Sequence, residues 1–185
     1  MQAYIEKPTH SKRVTVWCAF WSRRISGPFF FENEPGDAVT VNGDCYRAML
    51  NEFLFTKIEE EDIDNIWFQQ DGATCHTAEA TLAALCPVFE DCIISRRADV
   101  VWSPWRCDLT PLDYCLWFAA KDKCYADKPE TIDTLKDNIR EAIGEIQLHS
   151  IYNLLKNWTD RAWSAEAAIS MKLFCIINRK ECTFK

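Results

Sequence analysis

Residues Asn65 to Thr77 read NIWFQQDGATCHT. The run Ile66-Trp67-Phe68 is short, apolar and followed by turn-forming residues, which predicts a buried strand. Asp71-Gly72 comes directly after it. A helix is predicted from about Thr77 to Phe89 through Ala80, Leu82, Leu85 and Val88, and then a second apolar strand from Cys92 to Ser95. An acid held just past a buried strand stands at the rim of a sheet, where loops on a rigid scaffold commonly carry chemistry.

Working upstream, Val14 to Trp21 (VTVWCAFW) is β-branched and aromatic at successive positions, so it reads as a strand covered on both faces. Ser22-Arg23-Arg24 forms a turn, and Ile25 to Glu32 (ISGPFFFE) returns as a second strand in which Gly27-Pro28 marks a bulge or an edge. After the turn-rich NEPGD, Asp44 is placed to cap a helix with Tyr46, Met49, Leu50, Phe53 and Leu54 at helical spacing. A hairpin, a helix and a β-α-β unit in that order describe an α/β layer fold.

Downstream, Thr110 can cap a helix with Pro111 at its first position. Residues 131–146 put Ile132, Leu135, Ile139, Ile143 and Ile146 on one stripe, and Leu148, Ile151, Leu155 and Trp158 extend the pattern, so both helices are predicted to face a core. From about Trp163 the periodicity is lost. The chain therefore divides into an N-terminal extension, 1–13, a layered core, 14–125, helices of the same domain, 126–162, and an irregular tail, 163–185.

The 185 residues suffice for one domain with a real core. With 48% hydrophobic residues, 8 Trp and only 5 Gly and 7 Pro, disorder and long flexible linkers are excluded. Neither a signal-peptide core nor a membrane-length apolar run occurs, which points to a soluble intracellular protein, nuclear or cytoplasmic, with no membrane partner. The 10 Cys are scattered without a C-x-x-C, so reduced thiols are expected rather than a disulfide or zinc scaffold. The net charge of −7 argues against a stand-alone nucleic-acid binder, because non-specific affinity needs a basic footprint. Local footprints remain at Arg23-Arg24, at Arg96, Arg97 and Arg106, and at Lys121 with Lys123; solvated surface is the plain alternative for each.

Two acids stand out as candidate catalytic and metal-ligating residues. Asp71 follows a strand and Asp113 lies in the first turn of a helix, with 41 residues between them that can bring the chain back to the same end of the sheet. Facing carboxylates are what Mg²⁺ takes, and two such ions would activate a hydroxyl nucleophile and stabilise the leaving oxygen at phosphorus. The plainer readings stay open: Asp71-Gly72 is an ordinary turn dipeptide, and Thr110 to Asp113 fits a capping box. His76 is a ligand, a DNA contact or a satisfied residue at a helix start, and Asp108 can simply cap the turn before Pro111.

The wording around the acids adds something that spacing does not. QQDGATCHTA followed by SPWRCDLTPLDYCLW resembles the catalytic core of mariner-type transposases, members of the DDE/D endonuclease superfamily. In that family a D-x-A-x-x-H-T phrase holds the second acid and a D-L-x-P-x-D-Y phrase the third. The likeness runs over about residues 12–160 and includes VTVWCAFW, GPFFFE and the Asn-Trp pair ending at Trp158. The resemblance implies a ribonuclease-H-like fold, a mixed sheet flanked by helices with a helical C-terminal part. It also implies two Mg²⁺ or Mn²⁺ ions with no small-molecule cofactor, and DNA cleavage and strand transfer at transposon ends. By that resemblance Asp71 is the second acid of an Asp-Asp-Asp triad and Asp113 the third. The candidate DNA contacts, His76, Arg96, Arg97, Arg106 and Lys121, rest on residue type and local charge alone.

The family's first acid lies on a strand upstream of the hairpin, and from Met1 to Arg13 there is no Asp, only Glu6. The helix-turn-helix region of the family has no counterpart here either. The chain thus resembles a truncated copy missing its first strand, with an open apolar gap expected beside Trp17 and Trp67 that favours association, and with room for a homodimer. Two other readings are a non-catalytic ribonuclease-H-like scaffold or binding protein derived from a transposon, and a structural α/β domain whose two acids are only a turn residue and a cap.

Overall fold

The computed structural model describes residues 13–21, 24–34, 36–60, 66–98, 100–101, 116–147, 149, 153, 172–176 and 180–183. Two strands open it, β1 (Arg13–Trp21) and β2 (Arg24–Phe30), paired antiparallel as the sequence predicts. The register of this hairpin shifts between Trp17 and Ala19. Gly27 lies opposite that shift with φ +116°, and a Cβ there would sit 3.0 Å from the Trp17 carbonyl oxygen and 3.2 Å from the Cys18 Cα. Only glycine combines that backbone angle with so close an approach.

A helix follows in three continuous pieces: α1 (Gly43–Met49), a π-helical stretch (Leu50–Phe55) and α2 (Thr56–Glu60). Its cap is Asn42, whose side chain accepts from the Cys45 N–H at 2.9 Å, rather than Asp44. Asp44 lies inside the first turn, where its carboxylate suits the positive helix end and pairs with Arg47. Tyr46, Met49, Leu50 and Leu54 are buried as the spacing predicts, and Phe53 meets Trp17 edge-on at 6.1 Å.

The next elements are β3 (Ile66–Gln69), α3 (Glu79–Phe89), β4 (Ile93–Ser95) and the short β5 (Val100–Val101). The third helix starts two residues later than Thr77, because residues 74–77 are spent in turns that fold back on Ala73. Its buried face is Thr81, Leu85 and Phe89, so Ala80 and Val88, expected on the stripe, are exposed. Two further helices, α4 (Leu116–Ala126) and α5 (Ile132–Gly144), pack on each other. In α5, Thr131 caps the N-terminus, Leu135, Ile139 and Ile143 are buried and Ile132 is partly so, as the stripe predicts; Ile146, also partly buried, lies two residues past the helix end. Lys136 on α5 is nearly buried and pairs with Glu32 at the end of the hairpin. The predicted cap at Thr110 and the stripe positions Leu148, Ile151, Leu155 and Trp158 lie outside the described residues.

The tail departs most from expectation. Instead of an irregular end, residues 163–185 supply β6 (Lys172–Ile176) and β7 (Lys180–Thr183). The strand order is β2-β1-β6-β3-β4-β5, with β7 also pairing to β1. β6 runs antiparallel to β1, with Phe20 opposite Cys175, and parallel to β3, with Gln69 opposite Cys175. The gap expected beside Trp17 and Trp67 is therefore filled, by a strand from the far end of the chain. An unpaired inner edge on both β1 and β3 would strand their N–H and C=O groups, and the apolar Leu173-Phe174-Cys175-Ile176 run is well suited to satisfy both.

Both faces of this mixed sheet are covered. On one, Val14, Val16, Cys18 and Phe20 pack with Ile94, Ala120, Cys124 and the α5 stripe. On the other, Trp17 and Ala19 join Phe68, Ile93, Tyr46, Met49, Leu50, Leu85 and Phe89. Strand side chains alternate between faces, so a strand apolar at every position is what a sheet between two helical layers requires. No helix among the described residues is long and apolar enough to cross a membrane.

Candidate active site

Asp71 stands two residues beyond the end of β3, at the rim formed by the carboxyl ends of the parallel strands. Its Oδ1 accepts from the Ala73 backbone N–H at 3.0 Å, the local turn that a short acidic side chain favours. The same oxygen lies 2.5 Å from His76 Nδ1. The Asp71 side chain is 18% exposed and that of His76 only 2%, so the acid reaches solvent while its partner is sealed behind it.

His76 is held from several sides. Its ring lies against Tyr46 with centroids 4.3 Å apart. Its carbonyl oxygen accepts from Gln70 Nε2 at 2.9 Å, and its N–H donates to the Ala73 carbonyl at 3.0 Å. Gln70 in turn accepts from the Tyr46 hydroxyl through Oε1 at 3.2 Å and reaches Ser95 Oγ at 3.3 Å. Thr77 and Thr81 close the segment by donating to the carbonyls of Ala73 and Cys75. The loop from Asp71 to Thr77 is thereby tied to β3, β4 and α1 at once.

Electrostatics follow from this geometry. Burial pushes the His76 imidazole down, but the hydrogen bond and charge of Asp71, with smaller contributions from Cys75, outweigh it and lift the pKa to about 9. At neutral pH the pair is an imidazolium donating to a carboxylate. Burial, with the charges of Cys75 and Asp71, pushes the Tyr46 phenol well above its ordinary value, so it remains a neutral donor.

Of the residues singled out by sequence, Asp71 and His76 are brought together. Arg96 and Arg97 are exposed in the turn after β4, which ends at the same rim because β3 and β4 are parallel. Lys121 is exposed on α4, and its neighbour Lys123 pairs with Glu145. Asp113 and Arg106 lie outside the described residues. His76 lies three residues before α3, buried and hydrogen-bonded to the acid. Sequence reasoning missed Tyr46, Gln70 and Ser95. Tyr46 was hidden in an apolar stripe, but a glutamine pair closing a buried strand was a legible signal, because a buried amide must find partners.

As a candidate metal ligand, Asp71 supplies the hard carboxylate oxygen that Mg²⁺ or Mn²⁺ prefers. Among the described residues no group of three or more His, Cys, Asp or Glu side chains is gathered that could hold an ion alone. No family model matches the chain, and no characterised protein matches it in sequence.

Proposed function

We propose that the chain derives from the catalytic domain of a mariner-type DNA transposase, with a ribonuclease-H-like sheet, and that these residues alone do not cut DNA. The observation that carries this reading is the pairing of the two phrases, QQDGATCHTA and SPWRCDLTPLDYCLW, with Asp71 standing at a sheet rim in the grip of the His76 from the same phrase. Open α/β sheets bind their ligands outside the carboxyl ends of parallel strands, which is where Asp71 lies. Paired Mg²⁺ or Mn²⁺ ions would supply activation of the attacking oxygen and stabilisation of the leaving one. Within the chain, His76 and the Ala73 N–H orient the Asp71 carboxylate, and Asp113 is the proposed second ligand. Arg96, Arg97 and Lys121 are proposed DNA contacts, with Arg106 beside them in sequence order.

The inactivity proposed for these residues rests on the strand that neighbours β3. The strand beside β3 is Lys172-Leu173-Phe174-Cys175-Ile176, which carries no carboxylate. Without a bridging ligand nothing fixes the spacing of two ions at about 3.5–4 Å. A misplacement of about 1 Å already costs on the order of 10²-fold in rate. The acidic balance of the chain further weakens capture of a polyanion. This carboxylate-free strand also favours the second reading, a non-catalytic scaffold that keeps the fold for binding.

The test is Mn²⁺-supported nicking of supercoiled plasmid by the purified chain. No nicking is expected. Reproducible nicking lost in both Asp71→Asn and Asp113→Asn would overturn the inactivity and mean that another group, such as Glu6 or a second subunit, supplies the third carboxylate.

A further inference from the structure

The sheet is held together in an unusual way. Among the described strands no ladder joins β1 to β3, so without β6 the sheet falls into two parts, β1 with β2 and β7, and β3-β4-β5. The tail is paired along both inner edges. β6 matches Ile66 through Gln69 with Lys172 through Cys175 on one side, and Ala19 and Phe20 with Ile176 and Cys175 on the other. β7 continues along β1, matching Arg13 through Val16 with Thr183 through Lys180. Both β6 and β7 thus run antiparallel to β1, and β6 is also parallel to β3.

We propose that the slot between β1 and β3 is a strand-acceptor site with an exchangeable occupant: the tail fills it from its own chain and, between two copies, from the partner. The hydrogen-bonding edges that define the slot belong to residues far from the tail in sequence, and they are satisfied equally by an identical segment of a second chain. Chain length permits the exchange. Twenty-seven residues separate Gly144, the end of α5, from Lys172. The 13 of them that follow the helix predicted through Trp158 span about 45 Å when fully extended, whereas a compact chain of this size has a radius of gyration of roughly 16 Å. A tail can therefore leave its own slot and enter that of a neighbour. Reciprocal exchange re-forms every ladder in both copies, closes with two-fold symmetry and leaves neither inner edge of the slot unpaired. The balance between own and exchanged tails then depends on chain concentration against the effective concentration set by the connection. The proposal concerns the slot alone and stands whether or not Asp71 belongs to a transposase site.

The test uses the full chain under reducing conditions and a fluorescent peptide spanning residues 170–185, SMKLFCIINRKECTFK. The peptide should incorporate to one per chain, at a rate set by release of the resident strand and so independent of peptide concentration. A peptide with Phe174→Pro should not incorporate, because proline removes an N–H from a strand paired on both sides. In light scattering at raised concentration the chain should form a dimer that saturating peptide converts to peptide-bound monomer. The full chain carrying Phe174→Pro should take up the unmodified peptide faster; should that variant fail to fold, exchange on the natural chain still decides. Lack of uptake, equal uptake of the proline peptide, absence of a dimer, or a dimer that persists under saturating peptide would each overturn the proposal.

Discussion

His76 Nδ1 lies 2.5 Å from Asp71 Oδ1, and the ring is sealed from solvent while the carboxylate is not. A charge-assisted hydrogen bond of this kind is roughly twice as strong as a neutral one. It converts a histidine that burial alone would neutralise into a cation that pins the acid.

This pair sets a pH dependence of stability. The folded pKa of His76, about 9, lies above the value of about 6.5 expected in the unfolded chain. Below 6.5 both states bind the proton and the full contribution is present. As pH rises through 9 the folded state gives the proton up and the contribution is lost. Urea midpoints should therefore fall between pH 6.5 and 9, and His76→Gln should flatten that limb. An unchanged limb in the variant would remove His76 as its source.

Tyr46→Phe should cost about 1–3 kcal/mol, because the lost hydroxyl leaves the buried Gln70 Oε1 without its donor while the ring stays against His76. Gln70→Leu should cost more, since it also frees the His76 carbonyl and loosens the loop carrying Asp71. Denaturant unfolding measures both, and a neutral Tyr46→Phe would mean that water replaces the phenol.

Much of this fold was legible because local physics and global packing agreed. The unbroken apolar run of β1 required two covered faces, and the α5 stripe required one. The cap at Asn42 was misassigned because any of several short polar residues can fill that role and only geometry chooses. The tail was illegible for a different reason. Its two short strands carry no period of their own, since a strand paired along both edges looks irregular until its distant neighbours are known. At the site, Asp71 and His76 were marked by wording, but their joining was not, because the intervening turns rather than helical spacing bring them together.

Gly27→Ala should destabilise the hairpin by roughly 1–3 kcal/mol, the cost of a strained backbone position. The φ of +116° disfavours any Cβ, and the nearest obstacle is the Trp17 carbonyl of the paired strand rather than a side chain that could rotate away. Thermal unfolding of the variant against the natural chain reads the effect directly. A neutral change would mean that the hairpin shifts register to make room, which the amide exchange of β2 would report.

Asp71→Asn separates charge from shape. Asparagine can still accept from the Ala73 N–H, so the turn is kept while the carboxylate that holds the His76 proton is gone. Burial, the largest influence on the ring, then acts without its main opponent and lowers the folded pKa. The sign of the linkage reverses. With the folded value below that of the unfolded chain, the histidine contribution is present above about pH 6.5 and is lost as pH falls through the depressed folded pKa. Relative to the natural chain, the variant's deficit should widen as pH falls from 9 to 6, to on the order of 1–3 kcal/mol. Taking the difference between the two chains at each pH cancels the other titrating groups, which both share. A difference constant across pH 6–9 would show that Asp71 acts on this loop through shape alone and that the charged pair does not set the stability of the site.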